Sequence, residues 1–224
     1  PTAPLHAIFD LDSTLFDVSP RSTAIMHAFA KVEEYATRFK DECAILAKVK
    51  SENHAYKVKE TLMRYGMTSA QPDFGKTLLA YWRQHFFSNE FLKYDQPYPG
   101  AKDYVDTLLK AGAEIYYLTG RDIPRMKNGT VKQLKDHGFP INDGHTNLIL
   151  KPDETMDDTV FKKDFFKEAD HLKGSIWFFE NEPANINLVL DHCPHIKVVY
   201  VETVHSGRDP EVNHPIPRIQ GFLA

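Results

Sequence analysis

Cysteine is nearly absent from this sequence, with two residues in 224. Cys43 and Cys193 lie far apart and in what read as different elements. A fold built on disulfides is therefore excluded, and a reducing, cytoplasmic setting is expected. No apolar run approaches the length of a membrane span, so no membrane partner is expected. The formal charge is only -4, which gives no bulk electrostatic pull towards nucleic acid. Internal repeats and low-complexity tracts are also missing. The Pro1-Thr2-Ala3-Pro4 start leads directly into an apolar run, with no signal-peptide pattern in the sequence as it stands. What remains is an ordinary globular composition, 42% hydrophobic, long enough for one large domain or a core with an insert.

The most informative stretch is Phe9-Asp10-Leu11-Asp12-Ser13-Thr14-Leu15-Phe16-Asp17. It follows Leu5 to Phe9, an apolar run that predicts a buried strand. Side chains alternate along a strand, so two aspartates two apart point the same way. Carboxylates held that close repel. Either their surroundings split their roles or a cation sits between them. The plain alternative is a strand entering an Asp/Ser/Thr-rich turn.

From about residue 18 to 95 the pattern is helical. Ser19-Pro20 predicts a helix start, with Ser19 as cap. Ile25, Met26, Phe29, Val32, Ala36 and Phe39 recur at spacings of three and four. A further helix is predicted from about Pro72 to Phe87. These Met and aromatic stripes read as packing between helices. Pro97-Tyr98-Pro99-Gly100 marks a break, so 1–17 and 96–224 form a core and 18–95 an all-helical insert.

Beyond the break, strands and helices alternate. Ala101 to Lys110 predicts a helix, Ile115 to Leu118 a strand entering Thr119-Gly120-Arg121-Asp122, and Gly129 to His137 a helix. Asn147 to Leu150 is a strand, Asp157 to Leu172 a helix, Ser175 to Phe179 a strand, Ala184 to Leu190 a helix and Lys197 to Val201 a last strand. The tail from Thr203 is expected to be irregular. This alternation implies an α/β fold, a doubly wound, mostly parallel sheet with helices on both faces. In such sheets ligands bind beyond the carboxyl ends of the strands. Asp10 and Asp12, Thr119, and Glu180 each follow a strand.

In order and spacing these residues resemble the haloacid dehalogenase-like (HAD) hydrolases of the phosphatase type. Asp10-Leu11-Asp12-Ser13-Thr14 is similar to that family's first motif, Asp-x-Asp-x-Thr. Thr119 matches the second, Lys162 the third, and Glu180-Asn181 the fourth. The resemblance implies a Rossmann-like core with a helical C1-type cap. It also implies a Mg²⁺-dependent phosphomonoester hydrolase acting on a small phosphorylated metabolite. Asp10 would be the nucleophile that forms an aspartyl-phosphate, and Asp12 the general acid and base. Thr119, Gly120, Arg121 and Lys162 would bind the phosphoryl group. Asp10, Asp12, Glu180 and Asn181 would hold the metal. Asp12 also favours an oxygen leaving group, because halide departs without a proton. The family usually places aspartates in motif four. Here Glu180 is one methylene longer and Asn181 is neutral. Lys163 and Lys151 are rivals to Lys162, and Lys163 would point about 100° away on the helix.

Two alternative activities remain open at this level: a phosphomutase or phosphotransferase on the same chemistry, and a non-catalytic phosphate- or nucleotide-binding protein. Asp191-His192-Cys193-Pro194-His195 has ligand-type residues, but no second Cys/His pair lies near it in sequence. Arg125, Lys127, Lys132 and Lys135 read as a solvated helix face, while Arg121 adjoins the Thr119 turn.

Overall fold

The computed structural model describes residues 4–141, 144–169 and 172–223. The chain divides into two compact units, one comprising the sequence up to Asp17 together with Pro97 onward, the other Val18–Gln96.

The first unit is built on β1 (Leu5–Phe9). Two-residue strands β2 (Phe16–Asp17) and β3 (Gln96–Pro97) flank the insert in sequence. After them come α6 (Ala101–Lys110), β4 (Glu114–Asp122), α7 (Ile123–Asp136), β5 (Thr146–Lys151), α8 (Asp158–Glu168), β6 (Ser175–Glu180), α9 (Pro183–His192), β7 (Lys197–Val201) and β8 (Arg218–Ile219). The sheet order is β5-β4-β1-β6-β7-β8, and its pairings are parallel. Winding runs outward from β1 in both directions, so the topological switch lies at β1.

Alternation along the strands sorts the core into two faces. Ala7, Phe9, Ile115, Tyr117, Phe179 and Val199 pack with Val105 of α6 and Leu134 of α7. Ile8, Tyr116, Leu118, Phe178 and Val198 pack on the other face with Phe166 of α8 and Ile186 and Val189 of α9. Each large side chain fully buried this way contributes about 1.5–3 kcal/mol. The two faces together offset the cost of the polar cluster at the sheet's end. The arrangement is the doubly wound α/β sheet expected from the alternating pattern.

The second unit holds α1 (Ser19–Lys31), α2 (Glu33–Arg38), α3 (Lys40–Leu46), α4 (Val58–Arg64) and α5 (Phe74–Phe86). Met26, Phe29, Phe39, Leu46, Phe74 and Leu78 form its core, the stripe seen in the sequence. Within it, Arg21 Nε donates to Asp95 Oδ1 at 2.7 Å, and both side chains are fully buried. The Arg21 guanidinium also lies 4.2 Å from the Phe86 ring centroid. Among the described residues no helix is long and apolar enough to cross a membrane.

Several expectations need correction. Val18, not Ser19, is the N-cap of α1, and no side chain caps that end. β4 runs on through Thr119 to Asp122, with a register shift between those two residues. α7 starts six residues earlier than expected, because Asp122 caps it by accepting from the Arg125 N–H at 2.9 Å. The signal was Asp122-Ile123-Pro124, a capping residue with proline in the first turn. α8 ends at Glu168, short of Leu172, and residues 170–171 of that prediction lie outside those described. The tail is irregular except at β8, which adds a sixth strand beside β7.

Gly174 shows how tightly the central strands are joined. Its φ is +116°, and a Cβ there would collide with the Pro4 carbonyl. That same carbonyl accepts the Ser175 N–H at 3.0 Å, setting β6 against β1. Gly174→Ala is therefore predicted to lower stability by more than the roughly 1–3 kcal/mol of backbone strain alone. Denaturant unfolding measures this, and an unchanged midpoint contradicts it.

Candidate active site

The register of β1 builds the site. Phe9 lies opposite Tyr117 on β4 and Phe179 on β6. Asp10, the next residue, donates its N–H to the Phe179 carbonyl at 3.0 Å. It therefore leaves the sheet beside Glu180, the last residue of β6. The chain then turns tightly. Ser13 takes a left-handed φ of 64°, and the N–H groups of Leu15 and Phe16 both return to the Leu11 carbonyl. The same register carries Thr119 to this end of the sheet.

Lys162 is the centre of the cluster. It sits on α8, whose start is fixed by Asp157 accepting from the N–H groups of Thr159 and Val160. Its Nζ donates to Asp10 Oδ1 at 2.7 Å and to Glu180 Oε2 at 2.8 Å. Asp158 Oδ2 lies 3.7 Å from the same Nζ. The Lys162 side chain is 2% exposed. Lys163 turns away and pairs with Asp164, and Lys151 donates to the Met156 carbonyl. Lys162 is thus the lysine that reaches the carboxylates.

Three carboxylates around one ammonium leave an excess of negative charge in a buried place. Burial pushes the Asp10 carboxyl well above the usual carboxylate range, and Glu180 and Asp158 add to this against the pull of Lys162. Burial alone would lower Lys162, but Asp10, Asp158 and Glu180 together hold its ammonium well above the usual lysine value.

Glu180 is fully engaged. Its Oε1 accepts the N–H groups of Asn181 at 2.8 Å and Glu182 at 3.0 Å. Its Oε2 takes Asn185 Nδ2 at 3.0 Å besides Lys162. Asn181, expected as a metal ligand, spends its amide on the fold. Its Oδ1 accepts from Thr14 Oγ1 at 3.0 Å, and its Nδ2 donates to the Val204 carbonyl at 2.7 Å. It ties the Asp10–Asp12 turn to the tail.

Thr119 is fully buried, and its Oγ1 accepts the Arg121 N–H at 3.3 Å. Gly120 lies against Asp158, whose carboxylate occupies the space a Cβ would need. Arg121, expected among the phosphoryl-binding residues, turns towards Asp12. It is 2% exposed. Its Nε donates to Asp12 Oδ1 at 3.1 Å and its Nη2 to the same oxygen.

Asp158 and Asn185 were not singled out by the sequence. Asp158 stands four residues before Lys162, on the same helix face. Its Oδ1 is buried with no hydrogen-bond partner. Asn185 Nδ2 reaches Asp158 Oδ2 at 3.4 Å as well as Glu180.

Elsewhere, the Asp191–His195 segment disperses. His192 Nδ1 meets the Leu188 carbonyl at 2.9 Å, Asp191 pairs with His214, and Cys193 is buried as a thiol. Among the described residues no three His, Cys, Asp or Glu side chains form a group that would by themselves hold a metal ion. Arg125 pairs with Asp122 and Glu154, and Lys132 with Asp136.

Known structures share this architecture. A Clostridium difficile protein designated a phosphatase superposes with a TM-score of 0.61 at 13% identity, covering 98% of this chain and 95% of that one. A Bacillus subtilis protein designated the HAD-hydrolase YfnB, bound to magnesium, gives 0.54 at 12% identity, covering 99% and 96%. A predicted phosphoglycolate phosphatase from Haemophilus somnus gives 0.53 at 13% identity, covering 97% and 94%. At these identities the likeness is one of fold. No curated protein matches the sequence. Residues 5–156, well over half of the chain and including Asp10, Asp12 and Thr119, match the haloacid dehalogenase-like hydrolases, and the chain belongs to that family of hydrolases.

Proposed function

We propose that this hydrolase cleaves phosphomonoesters of small metabolites through a phosphoryl group carried on Asp10, with Mg²⁺ as cofactor. One observation carries the reading: the Asp10 carboxylate and the Lys162 ammonium, 152 residues apart, meet at 2.7 Å at the carboxyl end of β1. The phosphatase designations of two structural relatives agree with it.

The chemistry follows from the groups present. An Asp10 oxygen attacks phosphorus, and the bond to the ester oxygen breaks. Asp12 gives that oxygen its proton. Water then attacks the aspartyl-phosphate, losing a proton to the Asp12 carboxylate, and inorganic phosphate leaves. Lys162 neutralises the transferring oxygens by charge, and Thr119 binds them through its hydroxyl. The family resemblance reads the helical unit, Val18–Gln96, as a C1-type cap. A lid that excludes water also excludes bulky partners, hence the small substrate.

The donor set fits a hard dication. Lys162 alone does not balance the carboxylates of Asp10, Asp158 and Glu180, and a buried Asp158 oxygen lacks a partner. Mg²⁺ needs only one or two carboxylates and keeps several waters. When bound it supplies positive charge between a carboxylate nucleophile and a phosphate dianion. The family resemblance implies Asp10, Asp12 through its main-chain carbonyl, Glu180 and Asn181 as ligands. Glu180 and Asn181 have their polar atoms committed within the fold, so Asp158 is the stronger third candidate. The Bacillus subtilis relative's magnesium agrees with the choice of ion.

Phosphate release from a panel of metabolite phosphates, nucleotides and sugar phosphates tests the activity. Exhaustive chelation is predicted to abolish it and added Mg²⁺ to restore it. Undiminished turnover after chelation contradicts the metal assignment. Asp10→Asn is predicted to cut turnover at least about a thousandfold, as expected when a covalent nucleophile is lost. The same variant is predicted to be more stable than the parent in chelator. The Asp10 carboxyl is raised in the folded state. Its contribution to stability is therefore present at acid pH and lost as pH rises from the ordinary carboxylate range through the raised value. The Asn variant should gain in melting temperature at neutral pH and lose that advantage in acid. A lower melting temperature at neutral pH contradicts the charge analysis.

A further inference from the structure

We propose that Arg121 is a positioning residue that aims the Asp12 carboxylate for proton transfer and does not grip the substrate's phosphate. The inference rests on the phosphoester reading above and adds a role to it.

Three observations carry it. The first is where the guanidinium spends its donors. Nε and Nη2 both close on Asp12 Oδ1, while Nη1 donates to Thr130 Oγ1 at 3.1 Å and Gln133 Oε1 at 2.7 Å. Of five N–H groups on a guanidinium, these contacts use four. The second is burial. The Arg121 side chain is 1% exposed, whereas that of Asp12 is 28% exposed. The group behind is fixed and the group in front faces outward. The third is the brace. Thr130 and Gln133 are themselves buried, three residues apart on α7 and so on one helix face. They hold the planar fork from the back before it reaches Asp12. A lysine has neither the plane nor the fork, so it cannot hold both ends.

This matters because Asp12 belongs to a tight turn and not to the strand, next to Ser13 with its left-handed backbone. A proton donor misplaced by an ångström loses much of its effect. To bind a phosphate instead, Arg121 would have to leave Asp12, Thr130 and Gln133 together.

Leaving-group dependence tests the proposal. An alkoxide needs a proton as it departs, whereas p-nitrophenolate does not. We compare kcat/KM for an alkyl phosphate the enzyme turns over with kcat/KM for p-nitrophenyl phosphate. General acid catalysis is worth about 10²–10⁴-fold. Arg121→Gln is expected to lower the alkyl value on the order of 10²-fold and the aryl value far less, with KM for both little changed. Gln133→Leu, which removes part of the brace, is expected to show the same selectivity with a smaller loss, and it serves if Arg121→Gln folds poorly. Equal losses on the two esters, or a loss expressed mainly in KM, overturn the proposal and return Arg121 to phosphate binding. A parent enzyme that releases phosphate from no ester of the panel, with Mg²⁺ present, overturns the phosphatase reading itself, and this inference with it.

Discussion

A single buried ammonium holds the centre of this molecule together. Lys162 bonds Asp10 from β1 and Glu180 from β6 and lies near Asp158 on its own helix. Without it, the buried acids Asp10 and Glu180 and the half-buried Asp158 would meet with no cation from the chain between them. Removing the one cation from such a cluster costs about 3–5 kcal/mol, because the carboxylates left behind are uncompensated, whereas removing one of the surplus acids is not expected to carry that cost. The cluster is also still short of positive charge. On the phosphoester reading proposed above, that shortage is what a divalent cation and a phosphate would make good.

The rest of the core unit serves to deliver these groups. Parallel pairing of β1 with β4 and β6 brings Asp10, Thr119 and Glu180 to one end of the sheet. Helix α8 starts with a capped turn, which sets Asp158 and Lys162 on the side facing Asp10. Gly120 has no side chain, and the Asp158 carboxylate fills the space. Asn181 and Asn185 act as stays, one from Thr14 to the tail and one between Glu180 and Asp158. Hydrogen bonds of this kind hold the side chains of the site in place.

What could be read from the residues alone depended on whether the signal was local. The β1 and β7 runs are continuous and apolar, and their limits were legible because burial on both faces demands such runs. β8 was not legible, since Arg218-Ile219 carries no periodicity and is a strand only because β7 offers an edge. The start of α7 is obscured because Asp122 closes the Thr119-Gly120-Arg121-Asp122 run that follows the strand and also caps the helix. Lys162 is legible through its match to the family's third motif, whereas Asp158 belongs to no motif and its place beside Lys162 shows only in the fold. The contact between Arg121 and Asp12 is illegible for a different reason. A basic residue after a strand suggests an anion contact, and its partner Asp12 lies 109 residues earlier in the chain. No local pattern reports such a pairing.

The central claim is that the Asp10 carboxylate attacks phosphorus. The most direct measurement is rapid acid quench during turnover, followed by mass spectrometry of the peptide containing residues 5 to 17. One phosphoryl group on Asp10, appearing and decaying at the rate of turnover, is the predicted result. Steady phosphate release with that peptide unmodified at every time point, or with the phosphoryl group on another residue, would contradict the account.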